Sequence, residues 1–403
     1  MMGGTLLFAA RLCLLLMAAA PLVYYLLSLL CVLEFFRRGR PGKAIAGGYA
    51  PPVSILKPVR GMDRGAYENF ASFCSLDYPE YEILFAVADD DDPVIPIIDQ
   101  LKKDFPNRSI QLITRIPQLG ANRKVNSLCT LVAHAKYDLL VMSDSDVRVE
   151  PDYLYGVVTP FADSRVGAVT ALCRCLPANS LSSRLKALGL AIDSVPAALV
   201  ARKIEGKVQF AFGWTMATTR VHLAEIGGWE AMANHHSDDF EFGNRIARRG
   251  YRVELLREPV GMVLPAESFR QYLQSELRWA IGLRNVRPAG YWGVALTHAL
   301  PWSLLGFLAA RAAHWPMLAW AYPVAYLLLR LGLTQTVTKS LNEPGAVRDF
   351  WLVSLRDVIS FILWLAAFFS HTITWRECDY RVKNGVLIPL HRDEAAFLGR
   401  NTH

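Results

Sequence analysis

Cysteine is scarce and scattered in this sequence. The 403 residues include seven cysteines, an odd number, and they lack the spacing of a metal-ligand motif. This pattern argues against disulfides and against a zinc site in a cytosolic region. Cys173 and Cys175 bracket one arginine, and we interpret them as small apolar residues of a strand. Internal repeats and low-complexity tracts are also lacking, which leaves no basis for a repeat architecture.

Apolar residues, in contrast, are abundant. Hydrophobic residues make up 53% of the chain, while 20% of residues are charged and the formal net charge is +7. A soluble domain rarely combines so apolar a composition with this many charges. We therefore expect a mixed chain, with some segments in lipid and others in water.

The first apolar run predicts a membrane anchor. Residues 12–33, LCLLLMAAAPLVYYLLSLLCVL, are uncharged and about as long as a bilayer-spanning helix. No small-residue cleavage site follows, so we expect a retained anchor and not a removed signal peptide. Arg11 is the only charged residue before the run, and four basic residues come soon after it: Arg37, Arg38, Arg40 and Lys43. The positive-inside rule then places the following polar region in the cytoplasm.

Three further apolar stretches occur near the C-terminus, at 294–310, 312–329 and 358–370. Each is short or interrupted, so one of them can be a re-entrant or interfacial helix, and the parity of crossings stays open. The sequence divides the chain into five regions: an anchor at 1–36, a cytosolic domain at 50–270, an amphipathic interfacial segment at 271–293, membrane helices at 294–371 and a basic cytosolic tail at 372–403.

The polar region alternates between two kinds of pattern. Short runs rich in branched residues begin at Val53, Tyr81, Ile110, Asp138 and Val166. Helical patterns such as VIPIIDQLKKDF and KVNSLCTLVAHA lie between them. This order predicts an α/β domain with a mainly parallel sheet covered by helices, which binds ligands at the carboxyl ends of its strands.

Acidic residues follow these predicted strands. Asp144 and Asp146 come after the run DLLVM, and alternate residues of a continuing strand point the same way. Two carboxylates on one side suit a hard divalent cation that also takes phosphate oxygens. Asp89 follows the run YEILFAVA, and Asp238 and Asp239 begin an amphipathic helix. Each acidic group taken alone also fits a solvated loop or a helix cap.

Motifs along nearly the whole chain resemble nucleotide-sugar glycosyltransferases of the family 2 and family 21 type. The resemblance is closest to ceramide glucosyltransferases and to bacterial enzymes that glycosylate hopanoids. The motifs are, in order, ILKPVRGMD, LDYPEYEILFAVADDDDP, GANRKVNSL, VMSDSDVRV, HHSDDFEFG, ELRW and WRECDYRVKNG. The resemblance implies a GT-A-type, Rossmann-like α/β fold, with a transmembrane helix before it and transmembrane or interfacial helices after it.

The resemblance also implies a role for each matching residue. Asp89 matches the aspartate that contacts the nucleoside of the donor, and Asp144 and Asp146 match the D-x-D pair that binds Mg²⁺ or Mn²⁺ at the diphosphate. Asp239 matches the general base. The other matching residues belong to the donor site: Lys57, Asn122, Lys124, Asn126, Arg278 and Trp279.

One position departs from the family pattern, which has Gln or Arg, two further residues, and then Arg-Trp. Here Ser275 occupies that first position, ahead of Arg278 and Trp279. Gln274 lies one residue too early, which turns its side chain by about 100° on a helix. Arg278 still suits a diphosphate, because a guanidinium matches phosphate oxygens, whereas Trp279 fits an aromatic belt equally well. Processive synthases generally keep the glutamine, so its absence argues against a polymerase.

These features together predict an inverting transfer of one hexose from a UDP-sugar, most simply UDP-glucose, to a hydroxyl of a membrane lipid. Ceramide and hopanoid are the acceptors considered, the hopanoid with UDP-GlcNAc as donor. The alternatives are a processive polysaccharide synthase and an inactive binding protein, although the residues that such a protein would lose are all present. We expect an integral protein of a bacterial inner membrane, with its catalytic domain facing the cytoplasm and no nucleic-acid partner.

Overall fold

The computed structural model describes residues 2–37, 48–375 and 378–390. The chain divides into two compact units. We call them the helical unit (2–37, 184–203 and 267–371) and the sheet unit (48–183, 204–266, 372–375 and 378–390). The sequence-based division included 184–203 in the domain at 50–270, whereas the structure groups this segment with the helices that follow residue 266.

The sheet unit contains an eight-stranded mixed sheet. Its strands are β1 (Val53–Val59), β2 (Tyr81–Val87), β3 (Ser109–Ile113), β4 (Leu139–Met142), β5 (Val147–Arg148), β6 (Val166–Leu176), β7 (Met216–Thr219) and β8 (Arg252–Val263). They are arranged in the order β3-β2-β1-β4-β7-β6-β8-β5. The five strands expected from the sequence are confirmed, each beginning within one residue of its predicted start.

Strands β1 to β4 form a parallel half of this sheet. The chain builds outward from β1 to β3 and then returns to place β4 on the other side of β1. The direction of winding therefore reverses between β1 and β4, and open α/β sheets bind ligands beyond the carboxyl ends of the strands at such a point. β7 is antiparallel to both β4 and β6, which makes the sheet mixed.

The described residues form fourteen α-helices, and one helix separates each pair of successive strands from β1 to β4, as the sequence predicted. They are α1 (Met2–Arg37), α2 (Ala66–Cys74), α3 (Ile95–Asp104), α4 (Arg123–His134), α5 (Tyr153–Val158), α6 (Leu181–Gly189), α7 (Val195–Glu205), α8 (Arg220–Glu225), α9 (Asp238–Arg248), α10 (Phe269–Val286), α11 (Pro288–Gly293), α12 (Ala299–Ala312), α13 (Pro316–Ser340) and α14 (Val353–Phe369). A π-helical turn, Leu190–Ser194, joins α6 to α7. α4 begins where it does because the Asn122 side chain caps it, accepting a hydrogen bond from the Val125 N–H.

The sheet unit also contains a small antiparallel sheet formed by the end of the chain. Its strands are β9 (Thr372–Trp375), β10 (Cys378–Lys383) and β11 (Val386–Pro389), in the order β11-β10-β9. The chain thus returns to the sheet unit after α14. The sequence analysis identified this region as a basic tail that contains the WRECDYRVKNG motif, without predicting strands in it.

The helical unit contains three helices that are long and apolar enough to cross a membrane: Phe8–Arg37, Pro316–Ser340 and Arg348–Phe369. The helices Pro288–Thr297 and Ala299–Ala312 pass the same criteria only as a pair, and they are bent by 53° at the break between them. The described residues therefore provide three or four candidate spans, by length and composition.

Buried ion pairs connect the helices of this unit. Arg330 of α13 lies 2.5 Å from Asp357 of α14 and 2.6 Å from Asp193 of the π-helical turn. Arg356 of α14 pairs with Asp193 at 3.2 Å and also with Glu276 of α10. Buried charges are tolerated when paired in this way. Asp193 accepts from both arginines and so links the segment 184–203 to α13 and α14.

Candidate active site

Three segments that are distant in the sequence meet beyond the carboxyl end of β4. The Nζ atom of Lys124 lies 2.8 Å from Asp144 Oδ1 and 3.3 Å from Asp238 Oδ2. Lys124 belongs to the first turn of α4, Asp144 follows β4 by two residues, and Asp238 begins α9. Burial opposes the charge on Lys124, but Asp144 and Asp238 outweigh that effect and raise its pKa above the usual value. The ammonium therefore stays protonated. Its two ion pairs link the GANRK segment to the DSD and SDD motifs.

Asp239 lies beside this bridge. It is half-buried, and its Oδ2 accepts a hydrogen bond of 3.2 Å from the Gly213 N–H. Burial and the neighbouring Asp238 raise the pKa of Asp239, and Lys124 partly opposes them. A raised pKa brings a carboxylate closer to the range in which it can accept and release a proton near neutral pH.

Gly213 is a site residue that the sequence analysis missed. A Cβ atom at this position would lie 2.8 Å from both Asp144 Oδ2 and Lys124 Nζ, so these side chains would have to move to accommodate it. Its neighbours Phe212 and Trp214 stack at 4.4 Å between ring centroids. The only signal in the sequence was a glycine between two aromatic residues just before β7, which is too common to identify a site.

Asp238 is neither a helix cap nor an exposed carboxylate, and those two expectations are wrong. Ser237 occupies the N-cap position of α9, and Asp238 is 5% exposed. Its Oδ1 also accepts a hydrogen bond of 3.3 Å from Asn122 Nδ2. The position of Asp238 is therefore set by contacts with the GANRK segment.

The D-x-D turn has a third carboxylate next to it. The hydroxyl of Ser145, between Asp144 and Asp146, donates a hydrogen bond to Asp63. Burial, together with the charges of Asp144 and Asp63, raises the pKa of Asp146. Asp63 ends the ILKPVRGMD motif, so the sequence contained this residue within a recognised motif without indicating what it contacts.

Lys57 lies beneath the same turn. It is fully buried near the end of β1, its Nζ donates a 2.6 Å hydrogen bond to the Asp144 carbonyl, and it lies 3.8 Å from the centroid of the Phe73 ring. Burial lowers the pKa of Lys57 to about 7, although Asp144 and Asp146 oppose the change. These contacts make Lys57 a support for the Asp144 backbone, and its predicted role at the nucleotide stays a prediction.

The asparagines of GANRKVNSL organise the turn that presents Lys124. Asn122 is fully buried, and its Nδ2 donates a 2.8 Å hydrogen bond to the His235 carbonyl. Asn126 Oδ1 accepts from the backbone N–H of Gly120 at 3.0 Å. Both side chains thus form hydrogen bonds with backbone groups of this region. Their predicted contact with a donor stays a prediction.

Asp89 lies two residues beyond β2 and is exposed, with Asp92 buried close to it in the sequence. Asp92 accepts hydrogen bonds from the Gly61 N–H at 2.7 Å and from the Val94 N–H at 3.0 Å. Asp92 therefore fixes the loop, whereas Asp89, Asp90 and Asp91 are exposed beyond the carboxyl end of β2.

Arg278 and Trp279 belong to α10 of the helical unit. Lys186 lies 5.6 Å from the centroid of the Trp279 ring and 3.2 Å from Glu267. Ser275 Oγ is buried, with no hydrogen-bond partner among the described residues. Glu276 pairs with Arg356. Neither Ser275 nor Glu276 thus reproduces a free glutamine or arginine at the position where the family pattern has one.

The fold is of the GT-A type, and the acidic edge lies at the carboxyl end of its parallel half. The fold is similar to that of the mannosyltransferase PcManGT from Pyrobaculum calidifontis, solved in complex with GDP-Man and Mn²⁺. The TM-score is 0.50 at 20% identity, over 89% of this chain and 99% of that chain.

The sequence pattern of glycosyl transferase family 21 matches residues 13–388, and the chain belongs to this family. Ceramide glucosyltransferase 3 of Caenorhabditis elegans is 22% identical over 355 residues, which cover 84% of this chain and 74% of that protein. Ceramide glucosyltransferase of Candida albicans is 37% identical over 115 residues, which cover 25% of this chain and 21% of that protein. The family predicted from the motifs is confirmed.

Proposed function

We propose that this glycosyltransferase moves one hexose from a UDP-sugar, most simply UDP-glucose, to the hydroxyl of a membrane lipid of the ceramide type, with inversion at the anomeric carbon. The observation that carries the proposal is the Lys124 bridge between Asp144 and Asp238, with Asp239 beside it, at the point where the sheet order reverses. The similarity to ceramide glucosyltransferases and the candidate membrane spans support a lipid acceptor.

Asp239 is our candidate for the base. A carboxylate within hydrogen-bond reach of the acceptor hydroxyl takes its proton as the oxygen attacks the anomeric carbon. The Gly213 N–H fixes one oxygen of Asp239, and the start of α9 fixes its backbone. Because a single base and in-line attack suffice, the reaction inverts the configuration and requires no covalent intermediate on the protein.

The residues of the D-x-D turn fit a divalent cation. Asp144 and Asp146 offer carboxylate oxygens, which Mg²⁺ and Mn²⁺ prefer, and the Asp144 side chain is 35% exposed. The described residues form no group of three or more His, Cys, Asp or Glu side chains that could hold a metal, so other ligands would come from phosphate and water. When bound, the cation would neutralise charge that develops on the leaving diphosphate. The ion pair with Lys124 holds Asp144 in place before the donor binds.

The lipid product tests this proposal. A heterologous host supplied with ceramide or with hopanoid, expressing either the wild type or Asp239→Asn, should accumulate a monohexosyl lipid only with the wild type. Mass spectrometry of the lipid extract identifies both the sugar and the acceptor. Detection of a hexosyl hopanoid would show that the acceptor is a hopanoid and not a ceramide. Detection of a polymer would indicate a processive synthase. The absence of a new product from either lipid would contradict the proposal.

The return of the chain to the sheet unit also supports the membrane topology that we propose. Residues 204–266 and Thr372–Trp375 both belong to the sheet unit, so the segment between them must cross the membrane an even number of times. The candidate spans Pro316–Ser340 and Arg348–Phe369 provide two crossings. The bent helix pair Pro288–Thr297 and Ala299–Ala312 would then enter and leave the membrane on the same side. The basic residues that follow α1 in the sequence support the cytoplasm as that side, in the bacterial inner membrane that we propose.

Cysteine labelling checks this topology. Lys103→Cys and Lys383→Cys, both at exposed positions of the sheet unit, should resist an impermeant maleimide in intact spheroplasts and react after lysis. Cys13→Ser and Cys378→Ser remove the accessible native thiols from the background. Labelling of one site but not the other in intact spheroplasts would refute an even number of crossings, and labelling of both would reverse the orientation.

A further inference from the structure

We infer that the C-terminal hairpin, residues 378–389, is a positioning element of the active site. It holds the segment 234–236, which leads directly into Asp238 and Asp239. The inference rests on the proposed role of Asp239 as the base. It gives a role in catalysis to residues that follow the last candidate membrane span.

Local sequence determines the shape of this hairpin. Asn384 and Gly385 have φ angles of 51° and 79°, and Lys383 pairs with Val386 across them. Two positive φ angles in a two-residue loop are those of a type I′ turn, whose twist matches that of the flanking strands. Asparagine and glycine are the residues that adopt this turn most readily. The hairpin is therefore a preformed edge for another segment to pair with.

The segment 234–236 pairs with β11 as a further strand. The Leu387 N–H donates to the Asn234 carbonyl at 2.8 Å, and the His236 N–H donates to the Gly385 carbonyl at 2.8 Å. His235 and Val386 oppose each other between these two bonds as an antiparallel bridge. The His236 ring also lies 5.8 Å from the Trp375 ring of β9. The small C-terminal sheet therefore extends into the loop that precedes α9.

The opposite side of the same segment is bonded to the GANRK turn. The Asn122 N–H donates to the Ala233 carbonyl at 2.8 Å, and Asn122 Nδ2 donates to the His235 carbonyl at 2.8 Å. The segment is thus held from two sides, although Asn234 is exposed and His235 is half-buried. Loops at the surface are otherwise mobile. Because a shift of about 1 Å in a catalytic group can cost about 10²-fold in rate, a restrained loop favours proton transfer by Asp239.

Leu387→Pro tests this role, because it removes the hydrogen bond to the loop. Neighbouring residues of an antiparallel strand direct their N–H groups to opposite sides, and that of Leu387 points to Asn234. A proline there leaves the β10–β11 ladder intact, as on the outer side of an edge strand. We expect kcat to fall at least about 10-fold, while KM for the UDP-sugar stays within about 2-fold. Leu387→Ala, which keeps the N–H, is the matched control and should retain kcat even if the protein becomes less stable.

A disulfide provides a reversible rescue. His235 and Val386 form a non-hydrogen-bonded pair, for which a Cα separation of about 4.5 Å is usual and within the range of a disulfide. His235→Cys with Val386→Cys, added to Leu387→Pro in purified enzyme, should restore kcat on oxidation and lose it again on reduction. Each single cysteine variant should show no redox dependence. Failure of the oxidised form to regain activity would contradict the positioning role.

Hydrogen exchange separates this inference from the proposed reaction. The amides of 233–241 should exchange faster in Leu387→Pro than in the wild type, and the oxidised disulfide should slow them again. If the wild type transfers no sugar to lipid, the proposed reaction fails, while the exchange result still decides whether the hairpin holds the loop. Unchanged exchange in Leu387→Pro, or faster exchange with unchanged kcat, would overturn the inference.

Discussion

Replacing Asp239 with asparagine should lower turnover at least about 10²-fold, the lower end of what a positioned general base contributes. The amide has nearly the shape of the carboxylate and can still accept a hydrogen bond from the Gly213 N–H, so the fold should survive. Donor affinity should change little, because the D-x-D pair is untouched. The measurement is UDP-sugar affinity, by titration, beside the initial rate of lipid glycosylation.

Two further variants of α9 serve as comparisons. Glu241→Gln removes a carboxylate that pairs with Arg245 at 3.1 Å on the same helix and should leave the rate unchanged. Asp238→Asn weakens the pairing with Lys124 and should therefore reduce stability and donor affinity together. If Asp239→Asn keeps normal turnover, or if Asp238→Asn loses more rate, the base has been placed on the wrong residue.

The pH dependence provides a second readout of the same group. The base acts only when ionised, and burial together with Asp238 raises the pKa of Asp239. Wild-type turnover should therefore decline as the pH falls through that raised pKa. The decline should occur at a pH closer to neutrality than the decline expected for an exposed aspartate. The residual activity of Asp239→Asn should lack this decline. A matching acid limb in the variant would assign the titration to another group.

Removing divalent cations should abolish transfer, and Mg²⁺ or Mn²⁺ should restore it. Without the cation, charge on the departing diphosphate has no metal partner, and Asp144 stays paired with Lys124. The measurement is the rate of lipid glycosylation in excess chelator, followed by titration with each metal. Full activity in chelator would contradict the assignment of Asp144 and Asp146 to a cation.

Asp144→Asn provides the matching variant. It removes one proposed cation ligand and the main partner of Lys124, so the Mn²⁺ concentration for half-maximal activity and the dissociation constant for UDP-sugar should both rise at least about 10-fold, as for the loss of a charged ligand pair. Mn²⁺ binding measured by electron paramagnetic resonance provides a readout without turnover. Asp99→Asn, an exposed carboxylate paired with Lys102, is the control and should bind Mn²⁺ as the wild type does.

Local patterns in the sequence were sufficient for much of the catalytic fold. Short branched runs predicted β1 to β4 and β6, because a strand's composition reflects its own burial. The acidic groups at Asp144 and Asp239 were recognised in the same way, since they follow or begin predicted elements and lie in family motifs. Apolar length alone identified the candidate spans at both ends of the chain.

The contacts among these elements were decided only by the tertiary structure. Nothing local indicates that Lys124 bridges Asp144 and Asp238, because these residues come from three elements that meet only after the sheet has formed. The close approach of Gly213 to that bridge depends on the antiparallel insertion of β7 between β4 and β6.

The C-terminal hairpin shows the same difference between what local sequence specifies and what the tertiary structure decides. The Asn384-Gly385 pair encodes its own turn, because positive φ angles are a local property of these two residues. Its pairing with the segment 234–236 joins residues about 150 positions apart, with backbone groups that every residue possesses. A sequence pattern can therefore predict the hairpin, but only the folded chain specifies which edge it meets, because backbone hydrogen bonds carry no signature of their partner.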